Sequence, residues 1–140
     1  MTVDSIQNGI VIDHIAAGAG MKLYRLLGLD SVEQPVAIMM NVNSRKLGRK
    51  DIIKIDGEVP INFDVIGYVD PGATVNLIRD GKLAEKKRIG LPERLVNVIR
   101  CKNPRCISTC EQELDQVFWL TDSGKREYRC AYCETRAAGL

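Results

Sequence analysis

Four of the five cysteines of this 140-residue chain form two short-range pairs, Cys101-x4-Cys106 and Cys130-x2-Cys133, separated by 23 residues, and the first hundred residues contain none. Four thiolates in that pattern suit a tetrahedral ion such as zinc. Each short pair supplies two corners from one loop or hairpin, and the intervening residues fold back to unite the pairs. A site closed by four thiolates is structural, because catalytic zinc keeps a position open and commonly uses histidine. The only histidine, His14, lies far away in sequence. An iron–sulfur cluster is the other soft-ligand reading. Cys110, four residues after Cys106, offers a substitute ligand, but the symmetrical short-loop arrangement favours Cys106. Otherwise Cys110 is a small packing residue.

The tail that carries these cysteines has Val117, Phe118, Trp119, Leu120 and Tyr128 as its chief apolar residues. That is too little for an independent core, so metal binding must contribute to its folding. The expected division is a domain over 1–92 and a metal domain over 93–140, with Pro92 starting a short helix, Glu93 to Val98. With 20 Lys and Arg against 18 Asp and Glu, the net charge of +2 gives no field that steers the chain onto a polyanion. The tail is nearly balanced, with 8 basic against 7 acidic residues from Glu93 to Leu140. A nucleic-acid-binding zinc ribbon is therefore disfavoured. No apolar run approaches the roughly 18 residues that span a bilayer. Met1 to Gly9 also lacks the pattern of a signal peptide, so the expectation is a soluble cytoplasmic protein with neither membrane nor nucleic acid as partner.

In the first domain the pattern reads strand (Ile10 to Ile15), then helix (Met21, Leu23, Tyr24, Leu26 and Leu27, closed by Gly28). Strands follow at Val36 to Val42 and Ile52 to Ile55, around a basic turn from Asn43 to Lys50, and a helix at Ile61 to Val69 ends at Asp70-Pro71-Gly72. A fourth strand, Ala73 to Ile78, turns at Asp80-Gly81 into a fifth, Leu83 to Lys87. The fold class is α+β: a ferredoxin-like β-α-β-β-α-β domain followed by a small β-rich, zinc-ribbon-like domain. The unbroken apolar run Val36 to Met40 implies burial on both faces, either as a central strand or by pairing with a second copy.

Two polar features of this domain carry chemistry. Asp13-His14 interrupts an apolar strand, either ending it at the surface or recognising a hydroxyl or amine. As a catalytic dyad it is weak, since neighbouring strand residues face opposite sides. The basic residues Arg45, Lys46, Arg49, Lys50 and Lys54, with Lys86, Lys87 and Arg88, form either a solvated face or a triphosphate cleft. No GxxxxGK[ST] or GxGxxG motif occurs, so a nucleotide here would be held by side chains and strand backbone.

The blocks Val11-Ile12-Asp13-His14-Ile15, Gly48-Arg49-Lys50-Asp51-Ile52-Ile53-Lys54-Ile55, Ala73-Thr74-Val75-Asn76 and Leu91-Pro92-Glu93-Arg94 follow one another as in aspartate carbamoyltransferase regulatory chains. The resemblance continues through Cys101, Asn103, Cys106-Ile107-Ser108 and Cys130-x-Tyr132-Cys133-Glu134, and so covers nearly the whole chain. It implies a non-catalytic subunit with an allosteric domain binding ATP, CTP or UTP and a zinc domain, one Zn2+ per chain, docking on the catalytic chain. In the family, regulatory homodimers bridge two catalytic trimers in pyrimidine biosynthesis. Carried over by position, Asp13 and His14 match the base and ribose side of the nucleotide pocket, Lys54 and Lys86 the ribose and phosphates, and Asn76 a further polar contact, with Lys50 nearby. Val11 and Ile12, with Val3 and Ile6, match the pocket wall and amino-terminal arm. Asn103 and Glu134 match contacts to the catalytic chain. Gly81 stands where the best-known members place a base-side tyrosine, the amino-terminal arm is shorter, and Arg105 replaces a smaller polar residue. A small enzyme using Asp13 and His14 is the rival reading alongside the nucleic-acid-binding ribbon.

Overall fold

The computed structural model describes residues 3–138, so the outermost positions of both expected domains lie outside the described residues. The chain forms two compact units, Met1–Gly90 and Leu91–Leu140.

The first unit contains β1 (Gly9–Ala16), α1 (Gly20–Leu26), β2 (Val36–Ser44), β3 (Gly48–Asp56), α2 (Phe63–Val69), β4 (Thr74–Arg79) and β5 (Lys82–Arg88). The five strands form one sheet in the order β2-β3-β1-β4-β5, every neighbouring pair antiparallel. This is the split β-α-β order expected from the sequence, extended by the β4–β5 hairpin. Asp80 (φ 52°) and Gly81 (φ 74°) both take left-handed conformations at that hairpin tip, the geometry of a two-residue turn whose twist matches the strands. Asn62 caps α2 by accepting the Asp64 N–H at 3.0 Å.

Alternation along β1 sends Ile10 and Ile12 to one face, where Ile12 lies opposite Ile53 and Val75, all fully buried. Leu23 of α1 and Val65, Ile66, Tyr68 and Val69 of α2 add to that buried set. Two irregularities flank β3. Asp13-His14 bulges out of register between Ile12 and Ile15, and Met40-Asn41 does so between Met39 and Val42. His14 (φ 56°) and Asn41 (φ 61°) take the left-handed conformation that such extra residues require. The Asp51 carboxylate, 0% exposed, accepts the N–H of Asn41 at 3.1 Å on one oxygen and those of Gly18 and Gly20 at 3.0 Å on the other. It thereby ties the β2 bulge to the start of α1.

The structure corrects several expectations here. The Val36–Met40 run is not a central strand: within the chain β2 is an edge strand, half-buried, with Met40 54% exposed. The basic turn is short, because β2 runs to Ser44 and β3 begins at Gly48. Ile12 belongs to the core face and not to a pocket wall, since strand alternation points it away from Val11.

The second unit holds a three-stranded sheet, β6 (Arg94–Val96), β7 (Val117–Asp122) and β8 (Glu127–Cys130), in that order, with the short helix α3 (Ile107–Cys110). The helix expected over Glu93 to Val98 is strand β6 instead. Leu95 lies opposite Phe118, both buried, and the Glu93 carbonyl accepts the Leu120 N–H at 2.9 Å. Pairing with β7 thus outweighs the local helix-start signal of Pro92. Tyr128, buried beside them, donates its hydroxyl to the Pro92 carbonyl at 2.6 Å.

Candidate functional site

In the second unit, the thiols of Cys101, Cys106, Cys130 and Cys133 all lie within 4.8 Å of one another. Cys101 Sγ is 3.6 Å from Cys133 Sγ, and Cys106 Sγ is 3.7 Å from Cys130 Sγ, so each close contact joins one cysteine from each sequence pair. A tetrahedral ion with sulfur at about 2.3 Å sets sulfurs about 3.8 Å apart, which these spacings match. Burial pushes the Cys101 thiol up to about 12, while the hydroxyl and N–H of Thr135 pull Cys133 down to about 6. Four thiolates held this closely need a cation to share their charge. Supporting groups hold the loops: Gln116 accepts the Cys101 N–H at 2.9 Å and donates to the Ser108 carbonyl at 2.8 Å. Cys110 lies outside this cluster, exposed, with its thiol 3.7 Å from the Pro104 carbonyl. Asn103 and Glu134 flank the cluster. Asn103 accepts the Arg105 N–H at 3.0 Å, and exposed Glu134 (φ 63°) donates its N–H to the Cys130 carbonyl at 2.9 Å.

In the first unit, strand register brings dispersed residues into rows on the open face of the sheet. Lys54 lies opposite Val11, Val11 opposite Asn76, and Asn76 opposite Lys86. Directly opposed side chains in a sheet share a face, so two lysines flank an apolar and an amide side chain. Asn76 Oδ1 is buried and has no hydrogen-bond partner among the described residues. The next row holds Asp13, Thr74 and Arg88. Asp13 pairs with Lys50 at 2.9 Å and accepts the His14 N–H at 2.6 Å, while His14 Nδ1 is 3.0 Å from Thr74 Oγ1. Burial pushes the Asp13 carboxyl up, but the hydrogen bond and charge of Lys50, with the His14 N–H, together hold it below its ordinary value.

The remaining basic residues do not all join this face. Lys87 lies opposite Val75 and over the Phe63 ring at 4.6 Å, on the helix side, and Arg45 and Lys46 occupy the exposed β2–β3 turn. Thr74, absent from the sequence-derived site, joins it through register, and the same register brings in Arg88, which the sequence offered only as one of the basic group. Gly81 has a structural reason. Besides its positive φ, a Cβ there would meet the Gln7 side-chain oxygen at 2.8 Å, and its N–H already donates to the Gln7 carbonyl at 2.8 Å.

A match to known families joins these two sites in one lineage. Residues 1–90 match the family model for the aspartate carbamoyltransferase regulatory chain, allosteric domain, and residues 93–139 that for its metal binding domain. The chain belongs to the aspartate carbamoyltransferase regulatory-chain family. It is 51% identical over 135 residues to the regulatory chain of Clostridium tetani, covering 96% of this chain and 94% of the relative. The regulatory chain of Bifidobacterium longum is 47% identical over 137 residues, covering 98% and 99%. That of Clostridium botulinum is 46% identical over 139 residues, covering 99% and 95%. As a regulatory chain it is a non-catalytic subunit, with an allosteric domain preceding a metal-binding one. Among the described residues, no helix is long and apolar enough to cross a membrane.

Proposed function

We propose that this chain binds ATP, CTP or UTP on the open face of its first unit and one structural Zn2+ in its second. We further infer that it forms a homodimer in the cytoplasm and docks through Asn103, Glu134 and their surroundings on catalytic trimers of aspartate carbamoyltransferase. The observation that carries the nucleotide reading is the row Lys54–Val11–Asn76–Lys86, in which a buried amide oxygen without a partner among the described residues lies between two cations. A base or ribose donor would satisfy Asn76, the lysines would hold phosphate oxygens, and Asp13 and His14 would meet hydroxyl or amine groups beside Lys50. When bound, zinc supplies four bonds that close the two cysteine loops on each other. The half-exposed apolar edge strand β2 supports pairing with a second copy.

Such a subunit acts by linkage. A nucleotide changes aspartate affinity elsewhere only if it binds two states of the assembly unequally, and coupling of about 1 to 3 kcal/mol is typical. The test is calorimetry of CTP and ATP on the purified chain, followed by aspartate saturation of its catalytic trimers with and without each nucleotide. Nucleotide binding by the chain and a shifted saturation curve are expected. Absence of binding at millimolar nucleotide would sink the reading.

A further inference from the structure

The second unit presents a polar-faced sheet with one feature that the metal site does not use. Alternation sends Leu95, Phe118, Tyr128 and Cys130 to the buried side, and the opposite side carries, beside the half-buried pair Val96–Val117, the row Arg94 opposite Trp119, Trp119 opposite Arg129, and Arg129 bridged to Arg136. Trp119 is the only tryptophan of the chain and is 48% exposed. The Arg94 guanidinium sits 5.7 Å from its ring centre. Glu127 is the acid paired within this patch, at 3.2 Å from Arg129 and 3.5 Å from Arg136. Three guanidinium groups against one carboxylate leave the row cationic.

A large aromatic side chain left in water among arginines has the composition of an interface anchor. Tryptophan and arginine dominate the few residues that carry most of the energy of protein contacts. Guanidinium forks pair with carboxylates in two parallel hydrogen bonds, so the complementary surface is acidic around an apolar depression. A single-stranded nucleic acid fits less well, because such binders spread several aromatic platforms along a continuous basic groove. This row has one platform, and its unit is balanced at 8 basic and 7 acidic residues. The row also runs into the contact region proposed above, since Arg129 donates to the Glu134 carbonyl at 3.0 Å.

We propose that Trp119, flanked by Arg94 and Arg129, anchors this chain on a carboxylate-bearing surface of the catalytic chain. The proposal rests on the assembly reading given above and assigns it a face and a chemistry. Its test labels the full chain with 5-fluorotryptophan, which gives one fluorine resonance, and mixes it with unlabelled catalytic trimers. The resonance is expected to shift and broaden on assembly. Trp119→Ala is expected to weaken assembly about 30-fold or more and Arg94→Ala about 10-fold, with metal content and CTP binding unchanged. Trp119→Phe is expected to retain part of the affinity. Assembly with an unmoved resonance and full-strength variants would overturn the proposal while leaving the assembly reading intact. No assembly by the wild-type chain would overturn both. A resonance shift caused by a single-stranded oligonucleotide at physiological salt, and not by trimers, would assign the row to nucleic acid and overturn it as well.

Discussion

The two units reach stability by different routes. The first buries Ile12, Ile15, Leu23, Ile53, Ile55, Ile66 and Val75 completely between one sheet and its helices. The second buries Leu95, Phe118 and Tyr128, and its other buried hydrophobic positions among the described residues are the thiols of Cys106 and Cys130. One unit is held by apolar area, and the other has a four-cysteine cluster at which a bound metal would replace the missing area. The lesson is that metal and nucleotide should be separable, because no candidate ligand of either lies in the other unit.

Metal removal breaks this comparison most severely. Chelation, or Cys106→Ser, is expected to remove most of the roughly 10 kcal/mol that a structural zinc of the proposed kind would contribute, so the second unit is expected to lose its fold. Trp119 fluorescence reports that loss directly, because the first unit contains no tryptophan. Calorimetry with CTP should still show binding, and loss of both together while the first unit stays folded would refute the separation.

The reciprocal experiment is Asp51→Ala. It strips three backbone N–H groups of their buried acceptor and is expected to destabilise the first unit by about 3 kcal/mol or more. Zinc content and the Trp119 transition should not change. A smaller effect is confined to ligand binding: Lys54→Ala and Lys86→Ala are each expected to weaken triphosphate binding by about 1.5 to 3 kcal/mol with assembly retained. Identical titration curves for wild type and both variants would reduce these lysines to a solvated face.

Asp13 adds a pH signature to the first unit alone. Its carboxyl is held below the ordinary 3.8 in the folded chain, so it releases its proton more readily there than when unfolded. The resulting stabilisation is complete above the unfolded value and is lost as pH falls through the depressed folded value. Acid unfolding followed by circular dichroism should therefore show a shallower acid limb in Asp13→Asn than in wild type. Least of all, Cys110→Ser should leave metal content intact and stability within about 0.5 kcal/mol, as an exposed thiol outside the cluster allows. Zinc loss in that variant would move the ligand assignment to Cys110.

What the sequence determined by itself was whatever is encoded in short spacing or strict periodicity. The cysteine pairs, the Asp80-Gly81 turn, the order of strands and helices in the first unit, and the boundary near Leu91 are all local patterns. Residues that belong to the open face, such as Lys54 and Asn76, were legible as a group through the family resemblance. Tertiary structure decided the rest. Register alone put Lys54, Val11, Asn76 and Lys86 in one row, sent Ile12 to the core, and brought Thr74 and Arg88 beside Asp13. Pairing with β7 made Arg94–Val96 a strand despite Pro92, and sheet order left Val36–Met40 at an edge. The reason is physical. A residue's own preference for helix or strand is worth less than 1 kcal/mol for ordinary side chains. Burial of a large apolar side chain is worth about 1.5 to 3 kcal/mol, and it depends on partners far away in the chain that no local window contains.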